Sequence, residues 1–305
     1  VVENFKVGTL DKMGLGYEEI KKINPEIIFA SISGYGQNGP WSKLAAYDNV
    51  IQAMCGMMEM TGFADDVPTK VGPAIGDNFT GLTMALGIVM AYYNKLNTGK
   101  GQYIDVSMMD ALFGMLEGPI LNKALINLET SRCGNTDPTL CPYDVYQCKD
   151  GYFSVGLAAG SKAEWERFCN AMNMPSLLED ERFATNELRL ENYDIVTPII
   201  KDYFKYKTKA ELTEAFNAYK IPNSPVNTIP ELMHNEQLKA RNMLVPMHDD
   251  GVGDYLAIGN PMMLSETPAV LEKGAPSMGK DTKAVLMEYG YTEDEVNKLS
   301  ENEVI

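Results

Sequence analysis

The chain has 305 residues, enough for two domains and a sizeable buried core. Its 45% hydrophobic and 22% charged residues are ordinary for a globular protein. The acidic balance, 42 Asp and Glu against 26 Lys and Arg for a net charge of −16, disfavours nucleic-acid backbones and anionic membranes as partners but admits an anionic small molecule held in a local basic pocket.

Val1 and Val2 read as the end of a strand, followed by a loop over 3–8. Leu10, Met13 and Leu15 fall on one side of a first helix, and residues 17–23 form a second that Asn24-Pro25 stops. The apolar run 27–32 is best read as a buried parallel strand. Gly34-Tyr35-Gly36-Gln37-Asn38-Gly39 then fits the pattern GxGxxG, but Pro40-Trp41-Ser42 follows where a dinucleotide fingerprint needs a helix start. A glycine-rich turn near an active site is the expected role. Tyr47-Asp48-Asn49 leads into a helix over 50–60 whose methionines read as core.

Residues 71–89 hold the main candidate for chemistry. Gly72, Pro73 and Gly76 mark a loop, and Leu82, Ala85, Leu86 and Val89 recur at helical spacing after it. Asp77 is therefore expected to cap this helix, where the dipole and exposed N–H groups favour its charge. On local features alone, a plain cap is the simplest reading. A turn at 98–102 and a short strand at 103–107 precede a long helix predicted over 108–128. Asp110 opens that helix and is a second candidate carboxylate, read more simply as a first-turn acid.

Residues 133–142 are linker-like, with Gly, Asn, Asp and two prolines. Beyond them Tyr143–Cys148 and 152–156 read as a hairpin, 162–172 as an amphipathic helix with Trp165 and Phe168 inward, and 195–206 and Lys209–Ala218 as further helices. Residues 221–226 are extended, and two helices close the chain at 282–289 and 293–299. Strands alternating with helices before the linker argue an α/β layer fold.

Several chemistries lack their usual residues. The five cysteines include no CxxC pair, so neither a zinc site nor a disulfide framework is expected, and reduced thiols in a cytoplasm are the simple account. The two histidines come late, and neither GxSxG nor HExxH occurs. No apolar run reaches membrane-spanning length, and no signal-peptide pattern is read at the start.

Several segments, taken in order and spacing, resemble the family III CoA-transferases, the CaiB/BaiF group that includes formyl-CoA and carnitine CoA-transferases. They are Val2-Glu3-Asn4-Phe5-Lys6, Gly14-Leu15-Gly16, Ser33-Gly34-Tyr35-Gly36-Gln37-Asn38-Gly39-Pro40, Tyr47-Asp48, Gly76-Asp77 and Thr98-Gly99-Lys100-Gly101-Gln102, then Asp150-Gly151-Tyr152, Arg182-Phe183-Ala184-Thr185-Asn186 and Gly274-Ala275-Pro276. The resemblance implies an α/β protein with a Rossmann-like large domain, interrupted by a smaller α+β domain, in an intertwined homodimer. The large domain would span 1–132, the linker 133–142 and the small domain 143–256, with 257–305 returning to the large domain. It implies CoA transfer from an acyl-CoA to a small carboxylic acid through an aspartyl anhydride and an aspartyl-CoA thioester. Coenzyme A enters as part of the substrate, with no metal and no separate cofactor. The nucleophile falls on Asp77. Asp48, Tyr47, Gly34, Gly36 and Gly76 would shape the site, with N–H groups near Gly76 and Asn78 facing the oxyanion and the glycines of the 34–36 turn letting backbone approach the reacting centre. Contacts to CoA carry over onto Asn4, Phe5, Lys6, Lys12 and Met13.

There are departures. The family's opening strand and helix have no counterpart before Val1, so an N-terminally incomplete chain with weakened CoA binding is expected. A lysine that some members place three residues before the acid is Ala45, and no glycine-run loop occurs near 138–142. The same fold hosts α-methylacyl-CoA racemases, which place a histidine where this chain has Tyr47; phenols ionise near pH 10 and make poor neutral-pH bases, with reference values of about 10. An inactive fragment or assembly subunit is the third reading.

Overall fold

Three short strands, β1 (Val2–Glu3), β2 (Phe29–Ser33) and β3 (Tyr103–Ser107), pair in parallel in the order β1-β2-β3 in the computed structural model, which describes residues 1–158, 160–249 and 251–305. Register sets Glu3 beside Ser31 and Ser31 beside Asp105. Parallel strands need crossover connections, and helices supply them. α1 (Thr9–Lys12) and α2 (Tyr17–Ile23) lead from β1 to β2; α3 (Asp48–Met54) and α4 (Ile75–Thr98) lead from β2 to β3. Phe29 and Ala30 are buried, as the apolar run there requires. The helix expected over 50–60 ends at Met54, and turns carry the chain on through Gly56, which has a positive φ of 93°.

α4 buries a different face from the one its large apolar residues mark. Leu82, Leu86 and Val89 are 61%, 60% and 63% exposed, whereas Gly76, Thr80, Met84 and Ala91 are buried. At 100° per residue these two sets lie on opposite sides of the helix. Small side chains let α4 lie close to the sheet; a Cβ on Gly87 would sit 3.5 Å from Ile104. The larger residues are left facing outward.

The long helix expected over 108–128 is two helices, α5 (Met108–Gly114) and α6 (Glu117–Ile126). The break is local chemistry. Gly114 ends the first, Met115 and Leu116 turn with three-residue hydrogen bonds, and Pro119 sits in the first turn of α6, where its missing N–H is no loss. Ile51, Cys55, Met57, Met108 and Leu112 pack into one core between α3 and α5.

A second core follows the 133–142 stretch. β4 (Tyr143–Cys148), β5 (Gly151–Gly156) and β6 (Asn223–Pro225) form an antiparallel sheet in that order, with α7 (Lys162–Ala171), α8 (Ser176–Glu179), α9 (Asn186–Glu191), α10 (Tyr193–Lys205) and α11 (Lys209–Ala218) packed on it. Phe153, Trp165, Phe168, Phe204 and Phe216 fill this core. Arg189 is fully buried there; it donates to the carbonyls of Cys141 (2.6 Å) and Phe183 (3.0 Å), with its guanidinium 4.6 Å from the Trp165 ring centre.

Compact units divide between Pro225 and Val226, inside the span 143–256 that the sequence suggests for a small domain. The C-terminal unit holds α12 (Ile229–Leu232), α13 (Glu236–Ala240), an antiparallel hairpin of β7 (Leu244–Asp249) and β8 (Gly253–Ile258), α14 (Thr282–Glu288) and α15 (Glu293–Glu301). Among the described residues no helix is long and apolar enough to cross a membrane.

Candidate active site

Asp77 does not cap α4. The helix begins at Ile75 after Ala74, so Asp77 is the third residue of the first turn and its side chain is exposed. Ala74 has no side chain to offer the orphan amides. Asp48, the first residue of α3, does that work instead: its Oδ1 accepts the Gly76 N–H at 2.7 Å. The other oxygen, Oδ2, accepts from Gln52 Nε2 at 2.7 Å, and Gln52 Oε1 accepts the Val71 N–H at 2.8 Å. Gln52 is fully buried. It was missed among the methionines of its helix, although its i,i+4 spacing from Asp48 was the signal that could have found it.

Gly76 is buried because nothing larger fits. A Cβ there would lie 2.9 Å from Asp48 Oδ1 and 3.3 Å from Met108 Cε. The expected oxyanion donors are otherwise occupied. Gly76 N–H is held by Asp48, and Asn78 N–H bonds to the Ala74 carbonyl at 3.0 Å.

The turn glycines serve local packing. A Cβ on Gly34 would fall 2.3 Å from the Ala46 methyl, so this residue lets the end of β2 pass against the segment that leads into Tyr47 and Asp48. Its carbonyl accepts the Met109 N–H at 3.0 Å, fastening the turn to α5. Gly36 has a left-handed φ of 84°, and the next amide, of Gln37, donates to Asp105 at 3.0 Å. Both are loop-packing positions. Tyr47 is 78% exposed.

Asp77 and Asn4 border the same cavity, about 320 Å³ in volume, with Val2, Ile32, Thr80 and Met108. It lies at the carboxyl ends of β1 and β2, where open parallel sheets bind their ligands. A second cavity of about 310 Å³ holds Lys6, Thr9, Tyr17, Gln37 and Tyr103, and Glu3 borders both. Burial raises the Tyr103 phenol above its ordinary value, and a hydrogen bond with Ser31 partly opposes that. Of the other residues expected to touch CoA, Phe5, Lys12 and Met13 border neither cavity, and all three are exposed. Asp110 borders neither as well. It is an exposed first-turn acid of α5 whose own N–H is accepted by Ser107 Oγ at 3.2 Å.

Four of the five cysteines are buried and make poor competing nucleophiles, and the fifth, the exposed Cys133, borders neither cavity. Burial pushes the Cys141 thiol up to about 11 and the Cys169 thiol up to about 12, and raises Cys55 and Cys148 as well. Among the described residues no group of three His, Cys, Asp or Glu side chains is placed to hold a metal ion.

A parallel sheet whose strand ends open on a cavity, with an exposed carboxylate in the first turn of the adjoining helix, is the place where open α/β folds hold their ligands. The chain belongs to CoA-transferase family III, whose description matches residues 1–282, and is an enzyme of the CoA-transferase class. It is 33% identical over 288 residues to a succinate–glutarate CoA-transferase of Agrobacterium fabrum, covering 94% of this chain and 72% of that one. It is 34% identical to an acetyl-CoA:oxalate CoA-transferase of Acetobacter aceti, covering 96% and 74%. Among solved structures, a CaiB/BaiF family protein from Brucella suis superposes with a TM-score of 0.85 at 34% identity, covering 94% of this chain and 74% of that one.

Proposed function

We propose that the protein transfers coenzyme A from an acyl-CoA to a small carboxylic acid, with Asp77 as the nucleophile. The observation that carries the reading is the exposed Asp77 carboxylate bordering, with Asn4, the cavity at the ends of β1 and β2. The Asp77 carboxylate attacks the thioester carbonyl, forming a mixed anhydride as the C–S bond breaks and CoA leaves as thiolate. The thiolate returns to the aspartyl carbonyl, expelling the donor carboxylate and leaving an aspartyl-CoA thioester. The acceptor carboxylate attacks that carbonyl and displaces CoA again, and the thiolate then attacks the acceptor side of the new anhydride. Asp77 is regenerated and no atoms are lost. Dividing one hard exchange into four acyl substitutions leaves each with a lower barrier. Each anhydride must be kept from water, so closure of the site is part of the chemistry.

Two relatives are named for succinate with glutarate and for oxalate, which makes short dicarboxylates the acceptors to try first. Asn4 on the Asp77 cavity and Lys6 on its neighbour are polar and cationic groups suited to an anionic, pantetheine-bearing ligand; Phe5, Lys12 and Met13 complete the proposed CoA contacts. No cofactor beyond the CoA substrate enters this scheme. The Rossmann-like reading of the first domain is supported by its parallel β1-β2-β3 order with helical crossovers. The homodimer is supported by the outward Leu82, Leu86 and Val89 face of α4, an apolar stripe that water does not stabilise. Five free thiols suit a reducing compartment such as the cytoplasm.

The test is direct. Asp77→Ala and Asp77→Asn abolish transfer with the fold retained, and hydroxylamine added during turnover leaves a hydroxamate on Asp77 of the wild type. A hydroxamate on Asp110 instead refutes the assignment. In D₂O a 2-methylacyl-CoA keeps its α-hydrogen, and new acyl-CoA forms only with an acceptor; deuterium entering without one would show proton exchange.

A further inference from the structure

We infer that Gln52 is a positioning residue for the transfer reaction, locking Asp48 and Val71 so that the first turn of α4 presents Asp77 at its cavity. This rests on the reading of Asp77 as nucleophile. Gln52 is fully buried in α3, yet both polar atoms of its amide are hydrogen-bonded: Nε2 donates to Asp48 Oδ2 and Oε1 accepts the Val71 N–H. A buried amide costs free energy unless paired, so apolar side chains would fill that space more cheaply if filling were its only role.

What the two bonds connect gives the role. Val71 lies four residues before α4 in the connection that leads into it, and Asp48 holds the Gly76 N–H one residue before Asp77. The amide thus grips the last stretch of that connection directly and, through Asp48, the first turn of the helix. Without the Nε2–H donor, Asp48 is free to rotate about its Cα–Cβ and Cβ–Cγ bonds, and the short, charge-assisted bond to Gly76 loses its fixed direction. Gly76 tolerates little such movement, because Met108, Leu112 and Asp48 already crowd its Cα. Rotation or slippage of the first turn moves the Asp77 carboxylate, and a displacement of about 1 Å is enough to lower a rate about 100-fold.

The experiment exchanges the amide and the carboxylate. Gln52→Glu puts a second carboxylate 2.7 Å from Asp48 Oδ2 in place of a donor. Two carboxylates this close repel once both are ionised at pH 8, and a proton shared between them at lower pH remakes the lost bond. Expected for Q52E is a kcat about 100-fold below wild type at pH 8, recovering as the pH falls, with KM for the acyl-CoA little changed. The double variant D48N/Q52E reverses the donor and acceptor: the Asn amide donates to the Glu carboxylate, and both backbone N–H groups keep an oxygen. Its kcat is expected within about tenfold of wild type, without the acid-dependent recovery.

A Q52E variant with wild-type kcat at every pH, or a folded double variant no better than Q52E, overturns the inference. If Q52E does not fold at pH 8, Gln52→Met, similar in length and apolar, decides: wild-type kcat overturns the role, and a lowered kcat with unchanged KM and near-wild-type thermal stability supports it. Asp77→Asn is assayed beside them. Transfer surviving in that variant defeats the reading of Asp77, whereas a hydroxamate on Asp77 with an unaffected Q52E leaves that reading standing and removes only Gln52.

Discussion

Replacing Gly34 with alanine tests whether the turn after β2 positions the acidic residue of α3. The added Cβ falls 2.3 Å from the Ala46 methyl and 3.5 Å from Ile51 Cδ1. Ordinary carbon contacts are about 3.7 Å, so the two segments must part by roughly 1.4 Å. The Ile51 contact is already normal, and neither methyl can escape by changing rotamer. The shift therefore falls on backbone. One side of it is fastened by the Met109 N–H bond to the Gly34 carbonyl; the other runs through Tyr47 into Asp48, which holds Gly76. Overpacking of this kind costs about 1–3 kcal/mol, and with rigid groups on both sides the upper half is expected, about 2–3 kcal/mol. A carboxylate displaced by about 1 Å also slows transfer about 100-fold. Urea denaturation gives the first quantity as a lower midpoint with unchanged slope, and turnover of an acyl-CoA with a dicarboxylic acid gives the second. Ala46→Gly removes the atom that clashes, so G34A/A46G recovers most of both losses. The reasoning is refuted if G34A matches wild type in midpoint and kcat, or if the second substitution leaves both deficits in place.

Thiol titration of the native protein should show one fast cysteine, the exposed Cys133, and four slow ones, with all five reacting in denaturant; fast labelling of Cys141 or Cys169 would contradict the burial that raises their thiols to about 11 and about 12. Leu86→Glu with Val89→Glu should convert a dimer to a monomer in native mass measurement while leaving the circular dichroism unchanged, since both side chains already face outward within one chain. A wild-type protein that runs as a monomer at micromolar concentration would remove that reading of α4.

Much of the first sheet was legible because its signals are local and strong. β3 and α2 fall where their patterns put them, at Tyr103–Ser107 and Tyr17–Ile23, and the β4–β5 hairpin falls within a residue of its reading. The misread segments share one cause: the deciding contact lies elsewhere in the chain. Asp77 looks like a cap because the residue that satisfies the helix start, Asp48, lies 28 positions before the Gly76 whose N–H it accepts. The buried face of α4 is invisible to an apolar count, because packing against the sheet selects Gly76, Thr80 and Ala91 over Leu82 and Leu86. Gly34 and Gly36 stood out as glycines, but the reason for Gly34 is a methyl twelve residues on. The hairpin β7–β8 alternates half-buried and exposed positions with little apolar contrast, so period-two patterning had too little to detect.

The bonding of Asp48 also bears on which chemistry this site can host. Proton exchange at an α-carbon needs a base that can take up a proton and a second group on the opposite face of that carbon. Asp48 is poorly suited to be either, because both of its oxygens already accept N–H donors, and protonating one would cost the bond to Gly76 or to Gln52 that orders the start of α4. A base of this kind would loosen its own site at each turnover. Asp77 is in the reverse position. Among the described residues its carboxylate makes no hydrogen bond, and it is exposed at the cavity with its lone pairs unengaged. A nucleophile needs that freedom, since its oxygen must form a covalent bond to carbon and later release it. One aspartate held fast by two N–H groups and another left open beside it is a division of labour that suits covalent transfer.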